Sequence, residues 1–470
     1  MNWHDKRILV LGAGDTGRSV VDYLSRMGAR VRVADSRTNP PSADQFRASH
    51  PAVDLITGTF TYALFGDAEL IVASPGVAVA GPACDPAIAW AVAEGKNFIG
   101  DIELFAREQI EINEATGKKP KVIGITGSNG KSTVTAMAGE MCRAAGLKTV
   151  VAGNIGLPVL DALYQAVADG QPDVYVIELS SFQLETTQSL HLDSAAMLNL
   201  SQDHLDRYRS MSEYAAAKQR IFMHAAHQVL NREDAASMQM RAAQLPCSTF
   251  GIAPAPGEAD FGIDAGALMQ GQEPLMPLAD MPLAGLHNAA NALAAFALCR
   301  AIGAEGAKLA DGLRQFKGLP HRLENVGVIA GVTFYDDSKG TNVGSTVAAL
   351  NGMTVPTILI AGGLGKEQDF SALAEPVRRR ARAVVLIGKD ARSIESAITS
   401  SRVSCIHAAS MQAAVEKAFS AASPGDAVLL SPACSSFDMF KNYNHRGEVF
   451  AECVRILKQH VESGRDSHAV

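Results

Sequence analysis

GITGSNGKST, residues 124–133, decides how the middle of this chain folds. Glycines at 124, 127 and 130 precede Lys131, Ser132 and Thr133. The standard phosphate loop reads G-x-x-x-x-G-K-[ST], and here its first glycine position is Ile125, so the strict spacing is not met. The chemistry is met. A Gly-rich turn entering a helix points backbone N–H groups at a phosphate, a lysine adds a point charge, and a hydroxyl can reach Mg²⁺. The opposing reading, a glycine turn with a solvated lysine, does not account for the apolar strand VIGIT (122–126) before it together with K-S-T after it.

A phosphate loop takes an acid from the end of a neighbouring strand. VYVIELSS (174–181) supplies Glu178 after four apolar positions, and TVVAG (149–153) is a further strand. Just past AAMLNLS (195–201), His204 sits between Asp203 and Asp206, where a strand's C-terminal end delivers residues to the same edge. Lys218, in EYAAAKQRIF, falls on a helix, and the residues alone give it no role.

Upstream, the first hundred residues alternate strands RILVLGAG (7–14), RVRVADS (30–36) and LIVASPG (70–76) with helical spacing, as over 16–27. That alternation predicts a parallel sheet with its site at the strands' C-terminal ends. GAGDTG (12–17) and Asp35 form a dinucleotide fingerprint, but the geometry demands only a phosphate near a helix N-terminus. A nicotinamide cofactor and another nucleotide, held by Ser36 and Arg37, both remain open. Residues 107–121 read as a polar surface excursion, and 251–285 show no clear period. Helical spacing returns over 287–303.

Downstream of GLPHR (318–322) a third alternating block begins. YDDSKGTN (335–342), AGGLGKEQDF (361–370) and SPACSSFDMFKNYNHRG (431–447) each follow a strand. They carry Asp337, Lys339, Thr341, Lys366, Ser435, Ser436, Lys441, Tyr443 and Arg446, which suggests one anionic ligand at this block's edge.

The 470 residues are 47% hydrophobic and 19% charged, enough for about three domains. A net charge of −7 argues against nucleic-acid binding by phosphate neutralisation. No apolar run reaches the ~20 residues of a membrane span, and the N-terminus lacks a signal-peptide layout. Seven scattered cysteines, never spaced C-x-x-C, read as reduced thiols of a cytoplasmic protein.

Taken in order, GAGDTG, DSR, SPG, GDIELF, TGSNGKST, GNIG, ELSSFQLE, DHLDRY, AAKQRIF, GLHNAANALAA, LPHRLE, DDSKGTN, GGLGK and SPACSSFDMFKN resemble the Mur ligases over essentially the whole chain. The resemblance implies an α/β protein of three domains. Residues 1–100 would be a Rossmann-like domain for a UDP-substrate, 101–318 a central P-loop-type ATPase domain, and 319–470 a Rossmann-like amino-acid domain. It implies an ADP-forming amide ligase of peptidoglycan synthesis that adds D-glutamate to UDP-N-acetylmuramoyl-L-alanine, acting as a monomer. Asp15, Thr16, Asp35, Ser36, Arg37, Gly76 and Asn154 would hold the UDP-substrate. ATP would lie on Gly127, Ser128, Asn129, Gly130, Lys131, Ser132 and Thr133, with Asn288, Asn291, Arg322 and Asp337. Ser132 and Glu178 would take one Mg²⁺, and His204 with a carbamylated Lys218 a second. Lys131, Glu178, His204 and Lys218 would be catalytic. Lys339, Thr341, Lys366, Ser436, Phe437 and Tyr443 would receive the glutamate. A dehydrogenase using the first glycine turn would leave TGSNGKST, Glu178 and the third block unexplained.

Overall fold

Three runs of short apolar strands build three sheets. The computed structural model describes residues 2–41, 43–283, 285–365 and 368–466. In the first sheet, β1 (Arg7–Leu11), β2 (Arg30–Asp35), β3 (Asp54–Thr57), β4 (Leu70–Ala73) and β5 (Phe98–Ile99) are all parallel, in the order β3-β2-β1-β4-β5. Leu9, Val10 and Leu11 are fully buried, as expected of a central strand covered on both faces. The chain reverses direction across the sheet between β1 and β4, so a crevice opens beyond their C-terminal ends.

The second sheet comprises β6 (Lys121–Thr126), β7 (Thr149–Gly153), β8 (Val174–Glu178), β9 (Ser194–Met197), β10 (Gln228–Asn231), β11 (Cys247–Phe250), β12 (Phe261–Asp264), β13 (Ala267–Gln270) and β14 (Glu273–Pro277). Its order is β14-β13-β12-β11-β10-β9-β6-β8-β7, parallel from β7 to β12. β6 lies between β8 and β9, which seats the Gly-rich loop between their two C-terminal ends. The stretch without a clear period, 251–285, contributes an antiparallel meander, β12–β14, at the sheet's edge.

The third sheet has β15 (Glu324–Ile329), β16 (Val332–Asp336), β17 (Thr357–Gly362), β18 (Ala381–Ile387), β19 (Ser404–His407) and β20 (Ala427–Leu430), in the order β15-β16-β20-β17-β18-β19. An antiparallel hairpin, β15–β16, opens it, and the other pairings are parallel. The chain divides into two compact units. One holds the first two sheets (1–200, 206–281 and 290–316), and the other holds the third sheet with 201–205 and 282–289.

Residues 107–121 are not a surface excursion. Most belong to a 16-residue helix, Asp101–Thr116, that stops at Gly117 with φ +69°. Its polarity hid it: Glu108 is buried and accepts hydrogen bonds from Trp3 Nε1 (2.7 Å) and the Tyr23 hydroxyl (2.6 Å), partners some 85 to 105 residues away. Among the described residues no helix is long and apolar enough to cross a membrane. All seven cysteines are free thiols.

Candidate active site

The loop after β6 is shaped by two left-handed glycines, Gly127 (φ +156°) and Gly130 (φ +86°), and Gly130 caps the helix Lys131–Ala144. A second strand end pins it. Asn199, beyond β9, accepts from Asn129 N (2.9 Å), donates to the Asn129 carbonyl (3.0 Å), and takes Ser128 N on its own carbonyl (2.9 Å). Lys131 Nζ folds back to donate to the carbonyls of Gly127 and Ser128, both at 2.8 Å. Ser132 and Thr133 are buried in the first helical turn. Such a turn gathers N–H groups, an ammonium and hydroxyls where phosphate oxygens are accommodated. Asn291, on the helix Leu286–Ala301, reaches the same loop: a Cβ on Gly130 would lie 2.7 Å from its Oδ1.

Glu178 closes β8 at 1% exposure. Its Oε1 accepts from Asn154 Nδ2 (2.7 Å), while Oε2, fully buried, finds no hydrogen-bond partner among the described residues. A carboxylate oxygen so placed is costly unless a cation or donor satisfies it. The donor set, an acid oxygen and hydroxyls beside a phosphate loop, suits Mg²⁺. Asn154, expected at the UDP-substrate, is therefore also the residue that orients Glu178.

Lys218, to which the residues alone give no role, does not lie on the surface. It is 1% exposed, its Nζ donates to the Gly127 carbonyl (2.8 Å) and reaches Thr126 Oγ1 (3.5 Å), and it lies 4.7 Å from the Tyr214 ring centre. A lysine beneath the phosphate loop was not detectable from spacing, because its partners are some 90 residues upstream. Asn199 was missed for the same reason.

In the first sheet, Gly12–Gly17, Asp35–Arg37 and Gly76 gather at the C-terminal ends of β1, β2 and β4. Gly17 is forced: a Cβ there would overlap the Gly12 carbonyl oxygen. Asp15 and Thr16 open the helix Asp15–Arg26, where Asp15 pairs with Arg18 (2.6 Å). Burial works to raise the Asp35 carboxyl, but hydrogen bonds from Arg37 and Ala13 N prevail and hold it below the usual range. At 3% exposure Asp35 has both oxygens engaged, Oδ1 by Arg37 and Oδ2 by Arg37 and Ala13 N, so it fixes the Arg37 side chain at this edge. Ser36, Arg37 and Gly76 are exposed.

In the other unit, β16, β20 and β17 are neighbours, so the three polar clusters do share one edge. Ser431 Oγ donates to Asp337 (2.7 Å), Ala433 N to the Gly340 carbonyl (3.0 Å), and Ser435 N to the Leu364 carbonyl (3.0 Å). Burial pushes the Asp337 carboxyl up to about 6, against the opposing pull of the Arg322 charge. Lys339 Nζ stands 5.4 Å from the Tyr443 ring, and Thr341 N bonds the Lys339 carbonyl. Ser436 is buried, whereas Phe437 is 69% exposed. Lys366 lies outside the described residues. Arg446 is no ligand-facing cation: fully buried, it clips Ser338 (2.8 and 3.0 Å) to the Cys434 carbonyl (3.1 Å), and burial pulls its pKa down to about 10.

His204 also belongs to this unit. It adopts φ +58°, its N–H donates to Asp203 Oδ1 (2.9 Å), and Asp203 Oδ2 accepts from Asn342 Nδ2 (3.1 Å). Asn342 in turn caps the helix Val343–Gly352. DH and DDSKGTN, separate in sequence, are thus one hydrogen-bonded cluster. Asn288 is buried here as well, with its N–H on the Gly285 carbonyl (3.0 Å).

Known proteins match this architecture segment by segment. Residues 6–100 match the Mur ligase MurD-like N-terminal domain, 125–299 the Mur ligase middle domain, and 321–434 the Mur ligase glutamate ligase domain. A UDP-N-acetylmuramoylalanine–D-glutamate ligase from Methylobacillus flagellatus is 54% identical over 97% of this chain and 98% of its own. One from Thiobacillus denitrificans is 53% identical over 96% of each. The solved UDP-N-acetylmuramate-alanine ligase of Thermotoga maritima shares the fold at a TM-score of 0.60 and 17% identity, covering 97% of this chain and all of that one. With all three segments matched and relatives identical at more than half of their positions, the chain belongs to the Mur ligase family.

Proposed function

We infer that this chain is an ATP-dependent, ADP-forming ligase that joins D-glutamate to UDP-N-acetylmuramoyl-L-alanine in peptidoglycan precursor synthesis. The observation that carries the chemistry is Glu178 Oε2, buried without a partner beside a phosphate loop. The substrates follow from the relatives' names.

A carboxylate resists attack by an amine because oxide is a poor leaving group. The alanyl carboxylate therefore attacks the γ-phosphorus of ATP, ADP leaves, and an acyl phosphate forms. The deprotonated glutamate amine adds to the acyl carbonyl, and the tetrahedral adduct expels phosphate to leave the amide. Loop N–H groups and Lys131 orient the phosphates and neutralise charge on the transferring oxygens, work that is positioning and electrostatics. Asn291 and Asn288, Arg322 and Asp337 complete the nucleotide's contacts. Ser132 with Glu178, and His204 with a carbamylated Lys218, would hold two Mg²⁺, which supply further charge neutralisation. Asp15, Thr16, Asp35, Ser36, Arg37, Gly76 and Asn154 bind the UDP-substrate. Lys339, Thr341, Lys366, Ser436, Phe437 and Tyr443 bind glutamate. We divide the chain into domains at residues 100 and 318 and place it as a monomer in the cytoplasm, where free thiols persist.

Phosphate release from ATP and Mg²⁺ with UDP-N-acetylmuramoyl-L-alanine tests this reading against D-glutamate, L-glutamate, diaminopimelate and L-lysine. Release with D-glutamate alone is expected. Release with another amine would change the acceptor, and none with any would overturn the assignment.

A further inference from the structure

β6 and β9 pair in register from Ile123↔Ser194 to Thr126↔Met197, and the backbone ladder stops where Gly127 (φ +156°) leads into the phosphate loop. Two residues beyond Met197, the Asn199 side chain takes over. Its Oδ1 accepts from Asn129 N (2.9 Å) and its Nδ2 donates to the Asn129 carbonyl (3.0 Å), answering both backbone groups of one residue as a neighbouring strand would. The Asn199 carbonyl accepts from Ser128 N (2.9 Å), and Leu198 N donates to the Thr126 carbonyl (3.0 Å).

The segment that carries Asn199 is anchored in turn. Asn231, at the end of β10, donates to the Leu198 carbonyl (2.9 Å), and Asp234 accepts from Leu200 N (3.2 Å). Residue 199 is thus held on both sides, and what it holds is a turn with little stiffness of its own. Glycine loses more conformational freedom on ordering than any other residue, and this loop has it at 127 and 130. Without the clip, the cost of ordering the turn falls on the incoming nucleotide; with it, the turn is set before a phosphate arrives. The Asn129 N–H is committed to Asn199, so the side chain acts on a ligand only through the loop.

We propose that Asn199 is a positioning residue for the nucleotide's phosphates: its amide fixes the backbone of Asn129 on both sides, and with it the course of the loop into the first turn of the helix Lys131–Ala144. The proposal rests on the nucleotide assignment above and adds to it a residue that works from beneath the loop.

An aspartate at this position carries its own control. In Asn199→Asp the carboxylate keeps the acceptor for Asn129 N but turns a second acceptor onto the Asn129 carbonyl, and repulsion replaces one bond. A carboxyl so placed takes up its proton above the usual range, and once protonated it again offers a donor beside an acceptor. Calorimetry of the full chain with Mg²⁺ and β,γ-methylene-ATP should show the variant binding at least about tenfold more weakly than wild type at pH 8. Relative to wild type, which cancels the nucleotide's own titration, that gap should narrow at least about threefold at pH 5.5. In the phosphate-release assay KM for ATP should rise while KM for the sugar nucleotide holds within about twofold. A general loosening of the fold would weaken both substrates and would not mend with acid. Asn199→Ala, which has nothing to protonate, should bind weakly at both pH values, and it serves should the aspartate variant not fold. Binding by either folded variant equal to wild type at pH 8, or an Asn199→Asp gap that is the same at both pH values, would overturn the role of Asn199 and leave the ligase assignment standing. Wild-type nucleotide binding that weakens in the variants as stated, with no phosphate release from any amine, would keep that role and overturn the ligase assignment.

Discussion

Gly130→Ala adds one methyl group and separates two costs. Gly130 holds φ +86°, and alanine in that left-handed region loses about 1–2 kcal/mol in the folded state. The new Cβ would also fall 2.7 Å from Asn291 Oδ1, several tenths of an ångström inside ordinary contact. Asn291 Oδ1 is the tip of a flexible side chain, so it swings aside at little cost to folding and the loss falls on the nucleotide. One displaced hydrogen bond accounts for about 0.5–1.5 kcal/mol, and a shifted N–H cradle adds a similar amount. Together these amount to about 1–3 kcal/mol of ATP binding, a roughly 5- to 150-fold rise in KM for ATP. Phosphate release, with ATP titrated at saturating sugar nucleotide and D-glutamate, reads the second cost, and thermal melting reads the first. In an Asn291→Gly background the clash is gone. There Gly130→Ala should still lower the melting temperature but change KM much less, a coupling above about 0.5 kcal/mol. An unchanged KM for ATP in the single variant, or strict additivity in the pair, would refute this account of the loop.

Glu178→Gln keeps the bond to Asn154 and removes a buried, half-unpaired charge, so stability should hold or rise while turnover falls at least about 100-fold. Melting with and without Mg·ATP should show the wild type stabilised and the variant much less so; retained activity would remove Glu178 from the site. Asp101 gives a pH signature: burial raises its carboxyl from 3.8 to about 6, against a hydrogen bond from Gln183. The folded chain thus keeps a proton that the unfolded chain has lost, and stability falls as pH rises from about 4 to about 6. At about 1.4 kcal/mol per pH unit the loss reaches roughly 3 kcal/mol. Asp101→Asn should therefore be more stable than wild type at pH 7.5 and nearly equal at pH 4 in urea melts, and an equal gap at both would contradict it. Gly318, at φ +84° where the chain passes from one compact unit to the other, is proposed as a hinge. Gly318→Val should lower turnover more than it raises any KM, and unchanged kinetics would argue against a moving linker.

What could be read from the sequence was local backbone chemistry. Glycines at 127 and 130, a lysine and two hydroxyls specify a phosphate loop because the turn and the helix start lie within one short segment. Glu178 was legible because four apolar residues mark the strand it ends. What was hidden depends on partners far along the chain. Asn199 looks like any loop asparagine until β9 is laid beside β6. Arg446 looks like a ligand cation until Ser338 and Cys434 close over it. The helix Asp101–Thr116 escaped because its buried positions include Glu103, Glu108 and Gln109, so hydrophobic periodicity had little to report. Lys218 sharpens the point. Turning a lysine inward is costly, and the Gly127 carbonyl and the Tyr214 ring offset that cost in part. Both partners come from folding, the ring from one helical turn away and the carbonyl from the phosphate loop itself. A chain that merely needed a helix there would have left the side chain in water. That it is buried against the loop puts Lys218 directly beneath the glycine turn, a position that spacing alone could not give.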